Sequence, residues 1–144
     1  MSMIQSSSIQ SSRFLRNALA LDAAACAATG LLLAFGAGSL SSPLGFPAAF
    51  LTGAGLVLLP CAAILAWLAS RETLPRLAVL TVIGINLLWV ADSILILVAR
   101  WFSPTGLGIG FVLAQAGAVA VITELEMIGL KRSAPVDRVA TASL

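Results

Sequence analysis

The sequence predicts an all-α integral membrane protein, a four-helix bundle whose helices run up, down, up and down. Of the 144 residues, 60% are hydrophobic and 10% are charged. Average soluble domains are about 45–50% apolar and about 25% charged. The chain also contains four apolar runs of about the 20 residues that a helix needs to cross a bilayer. Because so few charges cannot cover a soluble surface, the expected solvent is the lipid bilayer.

The four predicted spans follow one another with short connections. They cover residues 14–38, 46–69, 77–99 and 105–130. The connections SLSSPLG, SRETLPR and RWFSP each contain a proline or a serine cluster, which favours a helix break. Connections this short predict that successive helices are antiparallel neighbours. Residues 13–132 then form the membrane domain, and residues 1–12 and 133–144 are predicted to be flexible tails.

Positive charge is distributed unevenly between the two ends of the predicted bundle. Arg100 falls at one end, and the remaining cations fall at the other: Arg13, Arg16, Arg71, Arg76, Lys131, Arg132 and Arg138. Loops rich in Lys and Arg stay in the cytoplasm. The distribution predicts that both termini are cytoplasmic, in a bacterial inner membrane.

The composition argues against several classes of function. The chain has no His, which excludes His-ligated haem, the usual zinc sites and His-dependent catalytic triads. Without a basic cluster interleaved with aromatic residues, nucleic-acid binding is not expected. Cys26 and Cys61 are predicted to be small buried side chains. We therefore predict no metal, no cofactor and no enzymatic activity.

Two rows of small residues predict helix-packing faces, because helices in lipid associate where their backbones approach closely. In both rows the small residues recur at every fourth position. The first-span ridge consists of Cys26, Gly30, Ala34 and Gly38, and the fourth-span ridge of Gly106, Gly110, Ala114 and Ala118. The two ridges either face each other or face a second copy of the chain.

Polar side chains inside the spans are the candidate binding residues, because such residues usually face the bundle interior. With the neighbouring tryptophan they are Asp22, Asn86, Trp89, Asp92, Gln115 and Glu124. Asn86 and Gln115 lie near mid-membrane on adjacent helices, so we expect a hydrogen bond between them. No cation lies within a span to pair with Asp22 or Asp92, so each is expected to carry a proton or to contact water.

Two acids near the end of the fourth span allow two interpretations. Glu124 is a candidate binding residue. Glu124 and Glu126 are alternatively interface residues paired with Lys131 or Arg132. Gln115 lies on the same helical line as Val119, Ile122 and Glu126, whereas Glu124 lies nearly opposite Gln115.

The leading functional expectation is a structural or accessory subunit that associates through the small-residue ridges. It would form a homo-oligomer or join a larger membrane complex. The alternative is an oligomeric small-molecule or proton-coupled carrier that uses intramembrane carboxylates. In that alternative, Asp22 and Asp92 titrate, while Asn86, Trp89 and Gln115 line a site near the midplane.

The closing stretch GFVLAQAGAVAVITELEMIGLKR resembles the last helix of a family of small four-span bacterial inner-membrane proteins. The resemblance rests on QA and on LE followed by GLKR, and it covers mainly the last helix. It implies four membrane spans. The family has no established activity, so the resemblance transfers no site residue.

Overall fold

Four long helices make up most of the computed structural model, which describes residues 8–142, with the side chains of 139 and 140 excepted. Helix α1 spans Arg13–Leu44, α2 Ala48–Ala69, α3 Arg76–Val98 and α4 Gly106–Arg132. Each is long and apolar enough to cross a membrane. The structure therefore confirms the predicted class, an integral membrane protein built from four apolar helices.

The first helix is longer than predicted and runs through the proposed break at SLSSPLG. Ser12 begins α1 by accepting a hydrogen bond from the Leu15 backbone N–H at 3.1 Å. Pro43 lies in the last turn of α1, where its missing N–H removes one hydrogen bond without ending the helix. Gly45 ends α1 instead, with a left-handed φ of 74° and its N–H on the Ser41 carbonyl.

A three-stranded antiparallel sheet closes one end of the bundle. β1 (Ser8–Gln10) lies between β2 (Thr73–Pro75) and β3 (Ala134–Pro135). It buries Ile9 to 3% exposure and Leu74 to 1%. The start of α1, the α2–α3 connection and the end of α4 therefore meet at one end, which we call the sheet end.

The sheet changes the interpretation of the two predicted tails. Residues 8–10 form β1, and residues 134–142 form β3 and a short helix α5 (Val136–Ala142). Both strands satisfy backbone groups that a free tail would leave to water. The remaining tail residues, 1–7 and 143–144, lie outside the described residues.

The long helices form an arc, with α2 and α3 at its two ends. Helix α1 packs along α2 and α4, and α4 packs along α3. The predicted neighbours α1–α2 and α3–α4 are therefore in contact. The predicted packing of α2 along α3 holds only at the sheet end, where Leu65 and Val79 belong to one hydrophobic cluster; farther along, two cavities lie between these helices.

The middle of the first-span ridge packs against α2. A Cβ atom at Gly30 would lie 3.2 Å from the Gly55 carbonyl oxygen, and one at Gly55 would overlap the Ala34 backbone nitrogen. Cys26 lies half-buried beside this contact, whereas Gly38 is exposed and would meet nothing within 4 Å. The ridge is thus a packing face for α2 over part of its length.

The fourth-span ridge does not pack against any other part of residues 8–142. All four of its residues are exposed, and added Cβ atoms at Gly106 and Gly110 would meet nothing within 4 Å. Two other glycines of α4 make close approaches: a Cβ at Gly108 would overlap the Leu44 carbonyl oxygen, and one at Gly129 would lie 2.7 Å from Leu15 Cα. The two predicted ridges therefore do not face each other.

Candidate functional site

Three polar side chains from three helices meet inside the bundle. The Asn86 Nδ2 amide on α3 donates to Asp22 Oδ2 on α1 at 2.9 Å and to Glu126 Oε2 on α4 at 3.1 Å. Asp22 is 1% exposed and Glu126 is 0% exposed. One amide therefore joins two fully buried carboxyl groups, and we call these three residues the acid–amide cluster.

The acid–amide cluster lies well inside the membrane-spanning region. Glu126 is six residues before the end of α4, and Asp22 is nine residues after the start of α1. At about 1.5 Å rise per residue, these positions lie about 9 and about 14 Å from the sheet end. The cluster is too deep to be part of a polar surface, so its groups must be satisfied within the protein.

The hydrogen bonding of the two acids is incomplete. The Cys26 thiol donates to Asp22 Oδ1 at 3.7 Å, but the buried Glu126 Oε1 has no partner among the described residues. The Asp22 and Glu126 carboxyl groups accept from the same Asn86 nitrogen, so they are held close together. Because two ionised carboxylates in an apolar interior repel strongly, this geometry favours one proton shared between them.

Two of the cations near the cluster in sequence make contacts elsewhere, at the sheet end. Arg16 Nε donates to the Ala69 carbonyl at 3.2 Å. The Arg132 guanidinium lies 4.6 Å from the centre of the Phe14 ring. These contacts draw the positive charges away from the acid–amide cluster, so a proton is the natural source of neutralising charge.

A large cavity occupies the gap between α2 and α3 in the half of the bundle away from the sheet. This distal cavity has a volume of about 520 Å³. Its walls are mostly aliphatic and aromatic, and its polar side chains are Thr29, Trp89, Asp92, Ser93 and Gln115. It could therefore hold an organic molecule that presents a few polar atoms to one wall.

A smaller cavity lies between the distal cavity and the sheet end. This proximal cavity, of about 130 Å³, is lined in part by Asp22, Cys26 and Asn86. Val57, Trp89 and Gln115 line both cavities, so these side chains form the partition between them. The Trp89 Nε1–H is buried and has no partner among the described residues. The acid–amide cluster therefore lies close to the distal cavity.

The predicted binding residues occupy three different positions. Asp22 and Asn86 lie together in the acid–amide cluster, while Trp89, Asp92 and Gln115 line the distal cavity. Glu124 is exposed and belongs to neither. The expected hydrogen bond between Asn86 and Gln115 is wrong, because Asn86 binds the two acids and the Gln115 Oε1 accepts from the Thr29 hydroxyl at 3.4 Å.

Glu126 is a member of the site, and its predicted position at the membrane interface is wrong because it is 0% exposed inside the bundle. The signal for it was the helical line through Gln115, Val119 and Ile122, because the last two are buried in the structure. Glu126 also lies near Lys131 in the sequence, which favours a position at the interface instead. Its pairing with Lys131 or Arg132 is wrong, since Glu126 points inward to Asn86.

Within residues 8–142, no three Cys, Asp or Glu side chains converge in a way that could hold a metal ion. Comparison with known proteins shows no matching family, no similar curated protein and no similar solved structure.

Proposed function

We propose that this protein is a proton-coupled carrier of a small molecule. The observation that carries the proposal is the acid–amide cluster, in which two fully buried acids share one amide beside a cavity. Ionisable residues inside membrane helices are costly, and they mark proton relays and substrate pathways. In this mechanism the cargo occupies the distal cavity and the cluster exchanges the coupled proton.

The cluster has more acid than helix packing requires. Hydrogen bonds between membrane helices contribute only about 0.6 kcal/mol on average, and neutral amides or hydroxyls could provide them. The second carboxyl group adds repulsion rather than adhesion. A proton-binding role gives that second acid a purpose, because two adjacent carboxyl groups can hold and release one proton.

The gap between α2 and α3 provides a route for the cargo. These two helices are the ends of the arc, and the distal cavity lies between them. A molecule dissolved in the lipid can reach the cavity sideways without crossing a closed wall of helices. Closure of α2 on α3 would then enclose the cargo beside the partition formed by Trp89 and Gln115.

The proposed orientation places the sheet end in the cytoplasm of a bacterial inner membrane. The cations concentrated there, including Arg71 and Arg132, support this orientation by the positive-inside rule. Four helices enclose little volume, so the proposal includes an oligomer as the working form. The weak resemblance of the last helix to small four-span bacterial inner-membrane proteins agrees with this location.

The test is proton flux in liposomes that hold the purified protein and a pH-sensitive dye. A potassium diffusion potential, negative inside, drives proton entry. We expect faster acidification than in protein-free liposomes, and loss of most of that increment in Glu126→Gln and Asp22→Asn. Glu124→Gln, an acid exposed on the same helix, is the matched control and should behave like the wild type. Equal acidification with all four proteins, faster than that of protein-free liposomes, would rule out a proton-carrying role for Asp22 and Glu126.

A second function, as an accessory subunit, is favoured by the exposed fourth-span ridge. Its small residues leave the α4 backbone open to a close-packing helix. Mass measurement of the intact assembly in mild detergent tests this function. A foreign subunit in fixed stoichiometry would support it, whereas a homo-oligomer that Gly110→Leu dissociates would assign the ridge to contacts between copies.

A further inference from the structure

We propose that the distal cavity selects a hydrophobic cation, whose positive group is bound by Asp92. The inference rests on the proposed carrier function and adds the chemical class of the cargo. It depends on three features of the cavity as lined by residues 8–142: its one acid, its aromatic walls and its lack of a positive side chain.

Asp92 is the only charged residue that lines the cavity, within the part of the chain that the structure describes. It lies six residues before the end of α3, about 9 Å into the helix. Helix α3 carries no cation between Arg76 and Arg100, and Arg100 is eight residues from Asp92, about 12 Å along a helix. Asp92 is exposed in the structure, so its carboxyl group is accessible to a ligand, and a bound cation would offset the cost of a charge within a membrane.

Aromatic side chains surround the same space. Phe50 on α2, Trp89 on α3 and Phe111 on α4 all line the distal cavity. The Phe50 ring is further held by Phe102, with ring centres 4.7 Å apart. Aromatic faces attract cations through their quadrupole, by about 0.5–2 kcal/mol depending on exposure. The aromatic rings and Asp92 therefore favour the same sign of charge.

The remaining groups near the cavity strengthen this selectivity. The acid–amide cluster lies beyond the partition and adds two further acids, Asp22 and Glu126, on that side of the cavity. The cavity volume of about 520 Å³ falls within the range of about 300–1,000 Å³ typical of organic ligands. Apolar walls disfavour sugars and other highly hydrated solutes. An apolar molecule with one positive centre satisfies both the walls and the acid.

Two probes of similar shape and opposite charge test the inference. Tetraphenylphosphonium is a hydrophobic cation, and tetraphenylborate is its anionic counterpart. The full chain carries Trp67→Phe and Trp101→Phe, so that Trp89 alone reports occupancy of the cavity by fluorescence. Equilibrium dialysis in detergent, corrected with protein-free micelles, gives the two dissociation constants. We expect the phosphonium to bind at least about tenfold more tightly.

Asp92→Asn keeps the size of the side chain and removes its charge. We expect it to weaken phosphonium binding about tenfold and to leave borate binding unchanged or stronger. Glu124→Gln, which removes an acid outside the cavity, should alter neither constant. Asp92→Glu keeps the charge and should retain the preference. If thermal unfolding shows that Asp92→Asn does not fold, Asp92→Ser removes the same charge and serves as the test variant.

The possible outcomes separate this inference from the carrier proposal. Equal binding of both probes, or a phosphonium preference that survives Asp92→Asn, would overturn cation selection by Asp92 while leaving a cavity that binds organic molecules. Binding of neither probe, with no change in Trp89 fluorescence, would overturn the inference and remove the support that the cavity gives to the carrier proposal.

Discussion

Asp22 and Glu126 are held side by side by the two hydrogens of a single amide. Asn86 Nδ2 lies 2.9 Å from one carboxyl group and 3.1 Å from the other. The three residues belong to three helices, so the amide links α1, α3 and α4 at one point. Stability, protonation and the proposed coupling of this protein therefore depend on the same few atoms.

Replacement of Asn86 by Leu should destabilise the bundle. Leu has the same number of side-chain heavy atoms and the same branching but donates no hydrogen bond, so both buried acids lose their shared donor. Leaving a buried polar group unsatisfied costs about 1–3 kcal/mol. Thermal unfolding in detergent, followed by circular dichroism, measures the loss. The exposed control Glu124→Gln should change stability by less than about 0.5 kcal/mol. A wild-type unfolding temperature in Asn86→Leu would contradict the role of the amide.

The shared proton should be visible by infrared spectroscopy. A protonated carboxyl group has a carbonyl stretch separate from the bands of carboxylate and amide groups. We expect this band in the wild-type protein in membranes, and we expect its position or intensity to change in Glu126→Gln and in Asp22→Asn. Glu124→Gln should leave it unchanged. A spectrum without the band, or one insensitive to both cluster variants, would show that the two acids hold no proton.

Replacement of Gly55 by alanine should destabilise the protein. A Cβ at this position would overlap the Ala34 backbone nitrogen, so Gly55→Ala must push α1 and α2 apart. Overpacking of this kind costs about 1–3 kcal/mol. Gly53→Ala is a matched control on the same helix, because its Cβ would meet nothing within 4 Å. Alanine in a helix is favoured over glycine by about 0.5–1 kcal/mol, so the control should be as stable as the wild type or more so.

The sheet should loosen when Ile9 is truncated. Ile9 pairs with Leu74 across the strands and is 3% exposed. Ile9→Ala removes buried side-chain volume and should destabilise the sheet end by about 2–5 kcal/mol. Hydrogen exchange of the backbone amides in residues 8–10 and 73–75 should increase. Gln10→Ala changes an exposed side chain of the same strand and should leave exchange slow; equal exchange in both variants would argue against a packed sheet.

Local sequence features predicted the helices well and their ends less well. Four apolar runs specify four membrane helices because each run satisfies its own backbone hydrogen bonds within lipid. The first helix ends at Gly45 rather than before Ser39, since Pro43 in a last turn removes only one hydrogen bond. The sheet was not predicted, because each of its strands has at most three residues and acquires its partners from distant parts of the chain.

The candidate site was predicted only in part, because its contacts also join distant parts of the chain. Asp22 and Asn86 stand out as polar residues in apolar surroundings, and that contrast can be read from one sequence. Their partner Glu126 could not be chosen over Glu124 from depth alone, because both acids lie near Lys131. The rotation of α4 against α1 and α3 turns Glu126 inward and leaves Glu124 exposed.

Composition and periodicity established a membrane protein of four helices with polar residues inside it, because these properties depend on how each segment meets lipid. Packing decided which polar residues meet, where the cavities lie and which ridge is covered, because these depend on the rotation and spacing of whole helices. A change of one residue in helical phase turns a side chain by about 100°, which is enough to exchange a buried acid for an exposed one.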